Sequence, residues 1–227
     1  MNDIKQSKDI SKRRALLKDR YFNKSLYCCT ANDYSNGRTN IEVVSQMLDA
    51  GVRIIQYREK NYKSMREQYN ECIEIRKLTK KYDALLIIND YVDLALAVSA
   101  DGIHIGQSDL PIEVVRNIVG YDFIIGLSTS NREQILNSIN TTADYIGIGP
   151  IYSTNTKKDA DAPTGVEIID YINSFDIPFV CIGGIKFDNI EELYKHNAQS
   201  ICMLSDIVSS DSIKLKCESI IQKIKSY

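Results

Sequence analysis

The chain alternates two kinds of segment eight times over. Short apolar, β-branched runs are LYCCT (26–30), VRIIQY (52–57), ALLII (84–88), GIHIG (102–106), FIIGL (123–127), YIGIG (145–149), FVCIGG (179–184) and SICML (200–204). Each is followed by a stretch with helical periodicity: IEVVSQMLDAG, MREQYNECIEIRKLTKKY, VDLALAVSA, PIEVVRNIV, REQILNSIN, GVEIIDYINSF, NIEELYKH and IKLKCESIIQKI. Near-continuous apolar runs are strands buried on both faces, as in a parallel sheet covered by helices. Eight strand–helix units favour closure into a barrel over an open doubly wound sheet. The expected fold class is α/β, a single (β/α)8 TIM barrel over 25–227, preceded by a helical extension over 1–24. A chain of 227 residues suits that one domain.

The extension holds SKDISKRRALLKDRYF (7–22), which reads as a basic helix. It is either an anion-binding arm or a solvated cap over the barrel bottom, the cap being the commoner arrangement.

Several function classes are set aside by composition. Net charge is −2, which gives no general affinity for nucleic acid. No apolar run approaches the roughly 18 residues that span a bilayer. The polar start MNDIKQSKDISKRR has no apolar core of a secretory signal, so a cytoplasmic enzyme with no membrane partner is expected. None of the six cysteines forms a C-x-x-C, and most sit in apolar runs, so reduced core thiols are expected. His104 and His196 are the two histidines, so a Ser–His–Asp or zinc site would have to be built from these.

In such a barrel the chemistry lies where strands end at their C-termini. Strand two ends in QYREK, where Gln56, Arg58 and Lys60 share one face by period two. Two cations and an amide suit a polyanion such as a diphosphate. A strand end salt-bridged with Glu59 is the alternative. Strand three ends in Asn89 and Asp90, strand four in Gln107 and Asp109. Two carboxylates on neighbouring strands suit Mg²⁺, which keeps part of its shell for water and phosphate, or a general acid–base pair. Capping of the following helices is the alternative. His104 should point into the barrel as a hydrogen-bonded core histidine, since Ile103 and Ile105 face the other way. Strand five ends in Ser128, Thr129 and Ser130, better suited to hydrogen bonding than to nucleophilic attack. Gly183 and Gly184, with Leu204 and Ser205, fall where this fold commonly binds phosphate.

The series QYREK, IINDYVDLALAVSADGIHIGQSDLP, GLSTS, GPIYSTNTKKD and IGGI resembles the thiamine-phosphate synthases over roughly residues 26–210. The resemblance implies a (β/α)8 barrel. It implies joining of 4-amino-2-methyl-5-hydroxymethylpyrimidine diphosphate to 4-methyl-5-(2-phosphoethyl)thiazole with Mg²⁺, by dissociative displacement. Carried over by motif, Gln56, Arg58, Lys60, Asn89, Ser128 and Lys157 would bind the pyrimidine diphosphate. Arg58, Lys60, Lys157 and Ser128 would act on the reacting groups, and Asp90 and Asp109 would hold Mg²⁺. Thr154, Asn155, Thr156, Gly184, Leu204 and Ser205 would bind the thiazole phosphate. The long loop STNTKKDADAPTG would act as a lid. Partners are then small phosphorylated molecules, and a homo-oligomer is compatible with the sequence. Tyr57, Ser130 and HNAQS depart from the family pattern. The rivals are a TenI-type thiazole tautomerase, whose histidine would stand at Ser130, and a non-catalytic barrel that senses phosphorylated metabolites.

Overall fold

The computed structural model describes residues 4, 8–59, 63–154, 156 and 161–227. Helix α1 (Ile10–Arg20) precedes β1 (Ser25–Cys29). Then follow α2 (Asn40–Asp49), β2 (Ile54–Tyr57), α3 (Met65–Lys81), β3 (Leu85–Asn89), α4 (Val92–Ala97) and β4 (Gly102–Ile105). The second half runs α5 (Ile112–Val119), β5 (Ile124–Thr129), α6 (Arg132–Ile139), β6 (Tyr145–Ile148), α7 (Glu167–Ile172), β7 (Phe179–Ile182), α8 (Ile190–Lys195) and β8 (Ser200–Met203). A one-turn helix α9 (Ser205–Val208) and α10 (Ile213–Lys225) close the chain. The eight strands form a closed parallel barrel in sequence order, β8 pairing back onto β1. The expected fold is therefore the observed one.

Period-two alternation divides the strand side chains between two cores. Cys28, Ile55, Ile88, Ile103, Ile125, Ile146, Cys181 and Ile201 point outward and pack under the helices. Tyr27, Cys29, Ile54, Leu85, Ile87, Ile124, Tyr145, Val180 and Cys202 fill the barrel interior. All six cysteines are buried and free, as expected of core thiols. Local signals agree with this layout. Thr39 with Glu42 and Ser64 with Glu67 form capping boxes at α2 and α3. Asn197 adopts φ +60° at the turn into β8, supplying the left-handed residue that HNAQS lacks as glycine.

The basic helix α1 lies across the N-terminal end of the barrel. It is neither an anion arm nor wholly solvated. Arg13 is fully buried and donates through Nε to Asp144 Oδ1 at 2.6 Å and through Nη2 to the Phe123 carbonyl at 2.8 Å. Arg14 donates to the carbonyls of Ala143, Ile139 and Thr141. Leu17 and Phe22 join the interior core, with the Phe22 and Tyr145 ring centroids 4.9 Å apart. A hydropathy reading of KRR misses this, because guanidinium groups can be buried when carboxylates and carbonyls saturate their donors.

Candidate active site

The other end of the barrel is where the sequence places its polar residues, and the structure explains why each is there. On β2 the odd and even positions separate. Tyr57 turns outward and its hydroxyl donates to Glu71 on α3 at 2.7 Å. Gln56 is buried on the inner face, and Arg58 follows it, half-buried. The Arg58 backbone is pinned to β1, its N–H donating to Thr30 Oγ1 at 2.8 Å while that hydroxyl donates to the Arg58 carbonyl at 3.0 Å.

Glu59 does not compensate Arg58. It is 4% exposed and sits 3.3 Å from Lys63 Nζ, where it also accepts from Asn40 Nδ2 at 3.2 Å. Lys63 is in turn 2.8 Å from Glu71. No carboxylate among the described residues pairs with the Arg58 guanidinium. The salt-bridged alternative for this strand end therefore fails for Arg58.

Asn89 and Asp90 end β3 beside the end of β4. Asp90 has φ +63° and donates its backbone N–H to the His104 carbonyl at 2.9 Å. This is a left-handed conformation that aspartate tolerates better than most residues. Asp109 folds back so that Oδ2 accepts the Gly106 N–H at 2.6 Å. Neither carboxylate is a helix cap: the N-cap of α4 is Tyr91 and that of α5 is Pro111, both without a side-chain cap bond. Among the described residues no three His, Cys, Asp or Glu side chains converge into a protein-only metal cage.

His104 points into the barrel, as its alternation requires. Its Nε2 lies 2.9 Å from Ser128 Oγ and its Nδ1 3.0 Å from Tyr145 OH. Burial lowers its pKa to about 4, against a smaller upward pull from Asp109, so the ring is neutral near pH 7. Gln107 anchors to the Ser128 carbonyl at 2.6 Å. Ser130 is engaged locally, its N–H and hydroxyl both reaching Gln134 Oε1, at 2.8 and 3.2 Å, near the start of α6.

The loops after β6, β7 and β8 meet one another. The β6 loop leaves along β7, with the Ile151 N–H on the Ile182 carbonyl and the Tyr152 N–H on the Gly183 carbonyl. It returns at Thr164 and Gly165, bonded to the carbonyls of Pro150 and Ile151. Between these anchors Thr154 Oγ1 accepts the Thr156 N–H at 3.3 Å, and Thr156 Oγ1 reaches Ser205 Oγ at 3.5 Å. Ser205 opens α9, with Leu204 as its N-cap residue. Gly184, at φ +63°, lets the chain pass close by: a Cβ there would lie 2.5 Å from the Ser153 carbonyl oxygen. Thr154, Thr156, Gly184, Leu204 and Ser205 are thus drawn together on the loops after β6, β7 and β8 at the mouth. Lys60, Asn155 and Lys157, and with them the centre of the expected lid, lie outside the described residues.

Sequence reasoning missed Tyr27 and Tyr145, whose hydroxyls are 3.0 Å apart in the barrel centre. Their strand positions point them inward, which was the available signal. It also missed Thr30, and it ran α9 into the segment before the last helix.

The model of the thiamine monophosphate synthase family matches residues 26–207. The chain belongs to that family. A thiamine-phosphate synthase of Dictyoglomus thermophilum is 53% identical over 204 residues, covering 89% of this chain and 91% of that protein. One from Caldicellulosiruptor bescii is 48% identical over 204 residues, with 89% and 93% covered. Among solved structures, a thiamine phosphate pyrophosphorylase from Pyrococcus furiosus superposes with a TM-score of 0.81 at 35% identity, covering 89% of this chain and 98% of that one. As a member of the thiamine monophosphate synthase family the chain is an enzyme, a transferase of thiamine biosynthesis. Among its described residues no helix is long and apolar enough to cross a membrane.

Proposed function

We propose that the barrel mouth joins 4-amino-2-methyl-5-hydroxymethylpyrimidine diphosphate to 4-methyl-5-(2-phosphoethyl)thiazole by dissociative displacement. The CH₂–O bond breaks first and its electron pair leaves on the diphosphate. The aminopyrimidine ring spreads the resulting positive charge. The thiazole nitrogen lone pair then forms the new C–N bond, giving thiamine phosphate and diphosphate. No proton need be removed in that step, in keeping with a site whose one inward-facing histidine is neutral and buried.

The observation that carries this reading is Arg58, a half-buried cation with no carboxylate partner among the described residues, while its neighbour Glu59 is committed to Lys63. A guanidinium held in that way awaits an anion from outside. Together with Lys60 and Lys157 it stabilises the charge that builds on the leaving diphosphate, the term that dominates such a reaction. Gln56 and Asn89 line the same wall, and Ser128 hydrogen-bonds the pyrimidine substrate. Thr154, Asn155, Thr156, Gly184, Leu204 and Ser205 take the thiazole phosphate and so hold its nitrogen towards the CH₂.

Asp90 and Asp109 fit Mg²⁺. They are hard oxygen donors at the ends of adjacent strands, neither caps a helix, and the lack of a third protein ligand among the described residues suits an ion that shares its shell with phosphate oxygens and water. When bound there the ion supplies positive charge to the diphosphate.

Cys29 and Cys202, buried thiols whose sulfurs lie 3.5 Å apart at hydrogen-bonding distance, are in keeping with a cytoplasmic setting. Ser130, engaged by Gln134, offers no support for a tautomerase.

Diphosphate release from the two substrates is the test. Release that requires Mg²⁺ and is lost in Asp90→Ala or Lys157→Ala supports the proposal. Turnover indifferent to chelator would remove the metal assignment, and binding without turnover would favour a sensor.

A further inference from the structure

Five polar side chains cross the barrel in single file beneath the mouth. Gln56 Nε2 donates to Tyr27 OH at 2.8 Å. Tyr27 OH is 3.0 Å from Tyr145 OH, which is 3.0 Å from His104 Nδ1. His104 Nε2 is 2.9 Å from Ser128 Oγ. Gln56, Tyr27, Tyr145 and His104 are buried, and Ser128, the far end, is half-buried at the mouth.

Each hydroxyl in this file has one proton to give, and a neutral imidazole has one N–H and one lone pair. A direction set at one end therefore propagates to the other. The Gln56 end sets it. Gln56 Oε1 accepts from the Cys29 thiol at 3.5 Å, which turns the amide nitrogen towards Tyr27. Tyr27, having accepted from Gln56, gives its proton to Tyr145. Tyr145 gives its own to His104 Nδ1. That nitrogen is then the lone-pair side, so Nε2 carries the hydrogen and donates to Ser128 Oγ. Ser128 is left with its proton directed away from His104, into the mouth.

Steric room for the file is built in. A Cβ at Gly126 would lie 2.2 Å from Tyr145 Cζ and 2.5 Å from His104 Nδ1. Both ring nitrogens of His104 face hydroxyl groups, Tyr145 OH and Ser128 Oγ, and among the described residues neither is hydrogen-bonded to a carboxylate.

We infer that this file fixes His104 as its Nε2–H tautomer and presents Ser128 to the mouth as a hydrogen-bond donor for an acceptor atom of the bound pyrimidine diphosphate. The identity of that acceptor rests on the proposed function; the tautomer does not. Tyr27, Tyr145 and His104 are positioning residues that act through Ser128.

Long-range ¹H–¹⁵N spectra of protein labelled with ¹⁵N in its histidines read the tautomer directly at pH 7, without substrate. A single Nε2–H form is expected for His104, and Tyr145→Phe, which keeps the ring and removes the hydroxyl, should mix the two tautomers. An Nδ1–H form in the unaltered chain would overturn the inference. In turnover, Tyr145→Phe should lower kcat about tenfold, the order of one lost hydrogen bond, with KM nearly unchanged. In a Ser128→Ala background the same change should alter kcat by less than about twofold. Equal losses in both backgrounds would overturn the coupling to Ser128. A chain with the Nε2–H tautomer but no turnover would instead count against the proposed function. Tyr27→Phe provides a second break in the file should Tyr145→Phe fail to fold.

Discussion

Arg13 and Asp144, 131 residues apart in the chain, share two hydrogen bonds of 2.6 and 3.1 Å with both side chains fully removed from solvent. Asp144 also accepts from Arg116 Nη2 at 2.7 Å and from the Ile125 N–H at 2.8 Å. One carboxylate thus ties α1, α5 and β5 together at the end of the barrel remote from the mouth. Asp144→Ala leaves two buried guanidinium groups without their counter-charge, which should cost about 3–5 kcal/mol. Urea unfolding should show it as a large fall in midpoint, while kcat of the remaining folded enzyme stays unchanged.

His104 makes a prediction about pH. Its pKa is about 4 in the folded protein and 6.5 in an open chain. Between these values the unfolded chain binds a proton that the native barrel refuses. This residue therefore makes stability fall as pH drops from 6.5 towards 4, by up to about 3 kcal/mol, and adds no slope above that window. His104→Gln should flatten that part of the curve relative to the unaltered protein; an identical slope in both would refute the assignment.

Arg58 should separate function from stability. Its guanidinium has no carboxylate partner among the described residues, so Arg58→Gln should change the free energy of unfolding in urea by less than about 0.5 kcal/mol. The same change should lower kcat/KM by roughly a hundredfold, the order lost with one group that stabilises developing charge. A stability loss of several kcal/mol would mean that Arg58 is structural.

On the proposed function Ser205 and Thr156, whose hydroxyls are 3.5 Å apart, bind the thiazole phosphate. Ser205→Ala should raise KM for the thiazole phosphate about tenfold, as one lost hydrogen bond to an anion would, and leave KM for the pyrimidine diphosphate alone. Initial-rate kinetics with each substrate varied in turn will tell, and a rise in both would argue against two separate subsites.

Much of the fold was legible in the sequence, for reasons that differ by residue. The strands showed as apolar runs because a covered parallel sheet permits no polar face, and alternation then aimed Gln56, Arg58 and His104 inward and Tyr57 outward. Pairings across the fold were not legible. Nothing local ties Tyr27 to Tyr145, which are 118 positions apart, and parity says only that each points inward. Arg13 looked like a solvated charge because its carboxylate lies in a distant segment. Glu59 looked like a partner for Arg58 by adjacency, whereas consecutive strand residues face opposite sides.

Phe22, Leu17 and Tyr145 fill the barrel interior at the end remote from the mouth. Among the described residues these side chains close the barrel at the end remote from the mouth, which leaves the mouth as the way in. Two substrates must enter by it, and two products must leave by it. With that end closed among the described residues, departure of the diphosphate and that of thiamine phosphate would compete for the same doorway. Traffic through that doorway, and not bond-making alone, is then a term in how fast the enzyme can turn over.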